Sequence, residues 1–405
     1  MAVFVASDFP FQMGGYSAWS VATVTSSGSE IDLSDQIIRA AAFHGTFTGN
    51  DADDLVGPIT DIGVVQGAAS IAISEFSLDA GAVADLIFNS QFDLDSFLPF
   101  LTTAADTFYG SDLGDTLYGA AGDDTAFGNG AVDVSYGGAG SDRLDGGDGS
   151  DALQGDAGSD IVLGGSGTDS LQGDDGTDII IGDDTANPDL GGADRLFGGD
   201  DADYLVGITG SDTIDGGNGG DWAIGGADGD LVYGGDGLDF ADGGSGDDVL
   251  YGNAAADALL GGAGNDRLYG GSEDQAADWL DGGSGADLLY GGGGDDILIG
   301  GSGSDIIYGG GGLDLLNGGG PDGTADTYAF APGDGADTVL GFEDGLDRID
   351  VHAFGYANFA DMQSAVGTVV TTDASGALLV HIGASTTVLL YPVASAAIDG
   401  SDFIF

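Results

Sequence analysis

Between Gly110 and Asn317 the hydrophobic and polar positions follow a nine-residue period. The unit GGSGDDVLY at 243–251 shows its form, with glycine at positions one, two and four, aspartate at six and an aliphatic residue at eight. Twenty-two units keep the aspartate, and two of them, at 182–197 and 270–281, carry extra residues that we place in loops. A period this regular predicts a repeat architecture in which each unit packs against its neighbours.

Each unit predicts a glycine turn followed by a short strand. The glycines permit the positive φ that tight turns need, and the last three residues alternate so that position eight points inward. Two units make one coil of about eighteen residues, so successive units belong to two stacked parallel sheets. We expect a mostly β fold: a right-handed parallel β-roll over 106–317, a small α+β or β-sandwich cap at 1–105 and a β cap at 318–405.

The charge of the chain changes this picture, because the roll needs a cation. Acidic residues number 69, the basic residues are five arginines with no lysine, and the formal net charge is −64, yet 42% of the residues are hydrophobic. Such a charge drives a metal-free chain apart. It also excludes nucleic acid as a partner and argues against adhesion to anionic membranes. No apolar run is long enough to predict a membrane span.

The turns supply the ligands for that cation. Stacked turns bring aspartates eighteen residues apart, such as Asp230 and Asp248, to adjacent levels with glycine carbonyls between them. Two carboxylates and several carbonyl oxygens favour calcium over zinc or copper. The turns of Asp133 and Asp257 lack the second or fourth glycine, so those two sites are in doubt. The predicted calcium ligands are Asp115, Asp124, Asp142, Asp151, Asp160, Asp169, Asp178, Asp194, Asp203, Asp212, Asp221, Asp230, Asp239, Asp248, Asp266, Asp278, Asp287, Asp296, Asp305 and Asp314.

The repeats resemble those of the RTX (repeats-in-toxin) family. GGAGNDRLY at 261–269 and GGSGSDIIY at 300–308 match the family consensus GGxGxDxUx at every fixed position. A flexible glycine-rich linker is the alternative, but a linker does not need an aliphatic residue at position eight. The resemblance implies a β-roll that binds many Ca²⁺ ions and a chain exported by the type I machinery.

The two ends of the chain carry weaker patterns. The run at 326–351 and the final DFIF at 402–405 resemble the C-terminal region of RTX proteins, where such an ending accompanies an uncleaved export signal. The alternative is that DFIF is simply a last strand. Residues 1–105 predict a helix at 79–88 and are similar to uncharacterised N-terminal regions of alphaproteobacterial RTX proteins, which implies no activity. No cleavable N-terminal signal is predicted, and there is no cysteine.

No catalytic motif is found, so we predict that the chain is not an enzyme. HExxH and GxSxG are absent, and without lysine there is neither a P-loop nor a Schiff base. The three histidines, His44, His352 and His381, each stand alone in a strand-like run, where a packed or surface residue is the simpler interpretation.

Position nine points outward and repeats tyrosine. Tyr233, Tyr251, Tyr269, Tyr290 and Tyr308 should stack one per coil on one sheet. Ordinary β-propensity explains the pattern as well as an interface does, and an ice-binding ladder is disfavoured because Thr-x-Asn ranks are missing. The first hypothesis is a secreted calcium-binding structural protein that self-assembles into surface or matrix material. The second is a calcium-dependent adhesin for polysaccharide or cells, and the third is a small hydrolase with an RTX tail.

Overall fold

The computed structural model describes the backbone of six strands before residue 105, and backbone and side chains over most of the chain after it. Its chain falls into two compact units, Met1–Leu190 and Gly191–Phe405. The helix expected at 79–88 and the side chain of His44 lie outside the described part. The fully described ranges are 105–110, 113–184, 191–271, 275–320, 323–367, 369–372, 377–391 and 398–405.

In the first unit, the described strands before residue 105 pair antiparallel and those after it parallel. They are β1 Val3–Phe4, β2 Val21–Thr25, β3 Glu30–Leu33, β4 Ala40–Gly45, β5 Ile59–Gln66, β6 Ala69–Ser74, β7 Thr107–Tyr109, β8 Thr116–Ala121, β9 Thr125–Gly130, β10 Val134–Ala139, β11 Arg143–Asp148, β12 Ala152–Ala157, β13 Ile161–Ser166, β14 Ser170–Asp175 and β15 Ile179–Asp183. From β7 onward the parallel pairs join alternate strands: β8, β10, β12 and β14 form one sheet, and β7, β9, β11, β13 and β15 another.

The second unit repeats this alternation. Its strands are β16 Arg195–Asp200, β17 Tyr204–Thr209, β18 Thr213–Asn218, β19 Trp222–Ala227, β20 Leu231–Asp236, β21 Phe240–Ser245, β22 Val249–Ala254, β23 Ala258–Ala263, β24 Arg267–Gly271, β25 Trp279–Ser284, β26 Leu288–Gly293, β27 Ile297–Ser302, β28 Ile306–Gly311 and β29 Leu315–Asn317. Even strands pair with even ones and odd with odd, all parallel. The predicted parallel β-roll is therefore confirmed in each unit.

The strands are longer than the sequence predicts. Most cover six residues, positions seven to nine and the first three of the next unit, because positions two and three, such as Gly244 and Ser245, still pair in the parallel ladder. Positive φ occurs at positions two and four, as at Gly244 (φ 96°) and Gly246 (φ 142°), but not at position one. Position one therefore needs glycine for a different reason, which lies in the turn described below.

Position eight forms the core, as predicted. Leu250, Leu268 and Leu289 lie directly over one another in β22, β24 and β26 and are completely buried. The least apolar core residue in the first unit is Ser135 at position eight of β10. It is buried, and its hydroxyl has no hydrogen-bond partner among the described residues. The same unit lacks its second and fourth glycines.

The strand ladder of the second unit continues past residue 317. Its remaining strands are β30 Thr327–Ala329, β31 Ala336–Leu340, β32 Arg348–Asp350, β33 Val370–Thr372, β34 Leu378–His381, β35 Thr387–Tyr391 and β36 Phe403–Ile404. Parallel pairs join β30 to β28, β31 to β29, β32 to β30 and β36 to β32, so the DFIF segment supplies a last strand. The division at 105 and 317 into caps and roll stays a prediction.

An antiparallel ribbon and one helix complete the second unit. Strands β33, β34 and β35 pair antiparallel, and β35 also pairs parallel with β31. A 3₁₀ turn covers His352–Phe354, and α1 covers Phe359–Val366, beginning after Asn358, whose side chain accepts a hydrogen bond from the Asp361 amide at 3.1 Å. Within the described residues no helix is long and apolar enough to cross a membrane.

The core column predicts a clear contrast between two leucines. Leu268→Ala should lower the free energy of unfolding of the calcium-loaded protein by about 2–5 kcal/mol, because it leaves a cavity in a closely packed column. Leu238→Ala is the control, since Leu238 is 68% exposed in a turn and should change little. Urea denaturation of both variants in saturating calcium measures the difference; equal losses would contradict the position-eight core.

Candidate metal centre

Aspartates at position six join one coil to the next. The backbone N–H of Asp230 donates to Oδ1 of Asp248 at 2.7 Å, and the N–H of Asp248 donates to Oδ1 of Asp266 at 2.9 Å. The backbone carbonyl of Asp230 also accepts a hydrogen bond from Val249 at 2.9 Å. Each aspartate thus bonds with its main chain and its side chain to neighbouring coils, and the repetition of these bonds forms an aspartate ladder along each edge of the roll.

The second oxygen of these carboxylates has a different environment. Oδ2 of Asp230, Asp248 and Asp266 is buried and has no hydrogen-bond partner among the described residues. A buried carboxylate oxygen without a partner is costly, and native proteins avoid it unless a cation lies beside it. Each of these three carboxylates therefore has one oxygen that fits a bound cation.

The turn brings further oxygens close to this carboxylate. A β-carbon built on Gly243, at position one, would lie 2.5 Å from Oδ2 of Asp248 and 2.8 Å from the carbonyl oxygen of Gly261. Glycine is required there because any side chain would fill the space in front of the carboxylate. At positions two and four, a β-carbon on Gly244 or Gly246 would clash with a carbonyl oxygen of the preceding coil.

The donor set is therefore carboxylate plus backbone carbonyl. No group of three or more His, Cys, Asp or Glu side chains converges as a metal site within the described ranges, so backbone oxygens must complete any coordination. Hard oxygen donors of this kind suit calcium and not zinc or copper. The residues present fit the multiple calcium ions that the sequence predicts.

Burial strongly raises the pKa of carboxyls in the aspartate ladder. Desolvation raises the pKa of Asp230 to about 8 and that of Asp266 to about 7, against the lowering effect of the backbone N–H that each accepts. Neighbouring aspartates of the ladder add to the rise. Without a cation the folded roll therefore favours protonated carboxyls at a pH where the unfolded chain would be ionised.

The predicted ligands occupy this ladder. All are buried except Asp115, which is partly exposed and donates its backbone N–H to Oδ1 of Asp133 at 2.6 Å. In the first unit one edge runs from Asp106 through Asp124, Asp142 and Asp160 to Asp178, and the other from Asp115 through Asp133 and Asp151 to Asp169. In the second unit the edges run Asp194, Asp212, Asp230, Asp248, Asp266, Asp287, Asp305 and Asp203, Asp221, Asp239, Asp257, Asp278, Asp296, Asp314. Coordination of calcium by each individual residue stays a prediction.

The two doubtful turns have the same geometry as the others. Asp133 and Asp257 lie in the ladder and are buried. In the turn of Asp257 the glycine positions two and four hold Asn253 (φ 74°) and Ala255 (φ 79°) in left-handed backbone. The substitutions therefore leave the site in place but strain its backbone, since alanine resists positive φ.

Four ladder residues escaped the sequence analysis. Asp106 precedes the first counted unit, and Asp326, Asp337 and Asp347 follow the last one. All four are buried. Asp106 donates its backbone N–H to the carboxylate of Asp124, and the carboxylates of the other three each accept a backbone N–H from the preceding ladder aspartate. The spacings to Asp326 and Asp337 are 21 and 23 residues, which breaks the nine-residue count. The surviving signal is an aspartate two positions before a buried hydrophobic residue.

Tyr328 ends the regular pattern on one edge of the second unit. It occupies position eight and is completely buried. Its hydroxyl oxygen accepts a hydrogen bond from the Gly318 amide at 2.9 Å. In earlier units a backbone carbonyl oxygen of the next coil lies at this place beside the position-one glycine. Burial, with Asp347 nearby, raises the pKa of this hydroxyl far above its usual range, so it stays protonated.

The described histidines do not form part of this site. Nδ1 of His352 lies 2.8 Å from Oδ1 of Asp350 at the surface, and Nε2 of His381 lies 3.4 Å from Oγ1 of Thr371. Both lie beyond β31, in the C-terminal part of the second unit. The prediction that the chain is not an enzyme stays a prediction.

Two adjacent aspartates offer a matched test of the ladder. Asp248→Ala should raise the calcium concentration at the folding midpoint several-fold, because it removes a buried ligand and a bond between coils. Asp247→Asn should change it little, since Asp247 is exposed and an amide oxygen can still accept the hydrogen bond that the Asn265 backbone N–H donates at 2.7 Å. Asp257→Ala should cost less than Asp248→Ala, because strain in its turn already weakens that site. Calcium titrations followed by circular dichroism rank the three; equal shifts would refute the ranking.

The raised pKa values predict that protons partly replace calcium. An unfolded aspartate titrates near pH 4, whereas folded values are about 8 for Asp230 and about 7 for Asp266. Between these pH values the folded state binds more protons than the unfolded state. Protonation of these carboxyls therefore stabilises the metal-free fold fully below about pH 4, and this stabilisation is lost as the pH rises through about 7 to 8. In chelator, β signal should be larger at pH 5 than at pH 8, and calcium should bind more weakly at pH 6 than at pH 8. A β signal in chelator that does not change with pH would contradict this.

Comparisons with known proteins give two similar solved structures. A search of curated sequences gives no significant match. Among solved structures, the chain is similar to the AlgE6R3 subunit of the Azotobacter vinelandii mannuronan C5-epimerase, at 31% identity and TM-score 0.27 over 32% of this chain and 78% of that one. It is also similar to the extracellular lipase LipA of Serratia marcescens, at 18% identity and TM-score 0.23 over 64% of this chain and 45% of that one. Neither likeness extends to the arrangement of the whole chain.

The family comparison covers most of the repeat region. The profile of RTX calcium-binding nonapeptide repeats matches overlapping windows from 102–134 to 290–320, which together include more than half of the 405 residues. Many repeats in one chain imply many calcium ions. The aspartate ladder, the unpaired Oδ2 atoms of Asp230, Asp248 and Asp266, and this match lead to one conclusion: the chain belongs to the RTX calcium-binding nonapeptide repeat family.

Proposed function

We propose that this protein is a secreted calcium-binding structural protein, folded by extracellular calcium, that associates with copies of itself into surface or matrix material. The observation that carries the proposal is the buried aspartate ladder, in which Oδ2 of Asp230, Asp248 and Asp266 has no hydrogen-bond partner among the described residues. Such a roll is stable only where cations are abundant. The proposal includes the absence of an enzymatic activity.

The calcium requirement supports export before folding. Cytosolic calcium is too low to fill weak sites of the extracellular type, whereas millimolar calcium outside the cell fills them. With a formal charge of −64, the chain should therefore stay expanded inside the cell and collapse only after release. A type I export machinery, which the family resemblance implies, would pass such an unfolded chain.

A continuous tyrosine stack supports self-association. The rings of Tyr233, Tyr251, Tyr269, Tyr290 and Tyr308 lie one above another, with successive centroids 5.1, 4.8, 5.2 and 4.4 Å apart and interplanar angles of 10° or less. The predicted stacking is confirmed, and the insertion before Trp279 leaves Tyr269 and Tyr290 in register.

This tyrosine stack forms part of a flat outer face. Val249, Leu288 and Ile306 lie beside it at position seven of the same strands, and Ile306 is 40% exposed. Tyrosine and aliphatic side chains on a regular sheet bury area well against a second flat surface. Once calcium has neutralised part of the charge, a second copy of the same face is a suitable partner.

Calcium titration of the full chain tests the first half of the proposal. Circular dichroism should show a sharp, cooperative gain of β signal, because each site needs two stacked turns. A β spectrum that is already complete in chelator at pH 8 would contradict calcium-dependent folding.

Charge placed in the tyrosine stack tests the second half. Tyr251→Asp with Tyr269→Asp should block the formation of large particles in calcium without preventing folding, because position nine lies outside the core. Ser284→Asp with Ser302→Asp adds the same charge at exposed, paired turn positions and is the control. Light scattering and circular dichroism separate assembly from folding. If the tyrosine variant assembles as the control does, this face is not the interface.

A further inference from the structure

A second aromatic surface lies on the other sheet of the second unit. Tyr204, Trp222, Phe240 and Trp279 occupy position seven of β17, β19, β21 and β25, and we name them the aromatic row. The strand register runs from Tyr204 to Trp222, to Phe240, to Ala258 and to Trp279. At about 4.8 Å per strand the aromatic row is about 19 Å long, with a gap at Ala258.

Two residues of the aromatic row, Tyr204 and Trp222, are more open to solvent than the tyrosine stack. Trp222 is 54% exposed and Tyr204 is 39% exposed, whereas Phe240, Trp279 and the five tyrosines of the stack are half-buried. The rings of Trp222 and Phe240 are 4.9 Å apart and tilted by 34°, so they do not close over each other as the tyrosines do. A tryptophan more than half exposed on a regular sheet presents a large apolar surface to a ligand.

The charged groups beside the aromatic row are carboxylates. Asp242 and Asp281 follow Phe240 and Trp279 by two residues and therefore lie on the same face of the sheet. Each accepts a backbone hydrogen bond from the glycine two residues later, which holds the carboxylate in place. In the described strands of the second unit, the three arginines lie on β16, β24 and β32, in the other sheet.

We propose that the aromatic row binds an extended neutral polysaccharide. Sugar rings present flat C–H faces that pack against aromatic rings, and their hydroxyls donate hydrogen bonds to fixed carboxylates. The proposal rests on the calcium-folded roll of the proposed function but not on self-association.

Charge separates this occupant from the others. An acidic polysaccharide would be repelled by Asp242 and Asp281, and a second copy that docked through the same face would bring the same two carboxylates against them. A cationic peptide would be drawn to acidic surface everywhere on the roll, so it gives no role to the exposed aromatic rings. A neutral ligand with apolar ring faces and hydroxyl donors uses both features of the aromatic row.

Sedimentation with insoluble polysaccharide tests the proposal. The full chain, folded in calcium, is mixed with microcrystalline cellulose and with chitin, and the bound fraction is measured against protein concentration. Trp222→Ala with Phe240→Ala should weaken binding to the retaining polymer about tenfold or more, as expected for a central aromatic contact. Leu238→Ala with Leu313→Ala, which removes exposed apolar side chains from two turns, is the control and should bind as the native chain does.

The outcomes decide the proposal in either direction. It is overturned if neither neutral polymer retains the native chain, if the aromatic variant binds as well as the control, or if only alginate or polylysine retains the chain. Circular dichroism in calcium shows whether each variant folds, and single Trp222→Ala replaces the double variant if that one does not. Normal folding and particle formation with lost polysaccharide binding would support the aromatic row independently of self-association.

Discussion

The hydrogen bond between one aspartate amide and the next aspartate carboxylate is the interaction on which this roll depends. It repeats at nearly every coil, as between Asp230 and Asp248 at 2.7 Å. It fixes the first carboxylate oxygen and buries the second beside backbone carbonyls. The same side chain therefore sets the spacing of the coils and creates the demand for a cation, so that folding and calcium binding become one process.

The glycines serve this arrangement in two ways. Gly244 and Gly246 adopt positive φ and turn the chain, whereas Gly243 leaves space in front of the Asp248 carboxylate. Where alanine or asparagine replaces a turn glycine, as at Ala255 and Asn253, the backbone keeps its left-handed shape and carries the strain. The aspartate is thus the stricter requirement, and the turn glycines adjust how stable each level is.

Sequence reasoning predicted the structure correctly at repeat positions where the same type of residue always meets the same environment. Leu250 and Leu268 are buried because alternation places position eight inward, and the tyrosines stack because strict register repeats position nine. It failed at Asp326 and Asp337, which lie 21 and 23 residues from their ladder partners and follow the last unit that keeps the nine-residue pattern. The role of Gly243 was also missed, because a close approach between coils has no local signature.

The two faces of the second unit differ in a way that follows from register alone. Tyrosine at position nine recurs in every coil of one sheet from Tyr233 to Tyr308, so the rings cover one another. On the other sheet Ala258 interrupts the aromatic row, the rings of Trp222 and Phe240 are tilted, and Trp222 is 54% exposed. A closed stack offers edges and hydroxyls to a flat partner, whereas an open row offers ring faces. One repeat with a fixed calcium-binding turn therefore supports two chemically distinct surfaces, because the outward aromatic side chains take no part in the aspartate hydrogen bonds that join the coils.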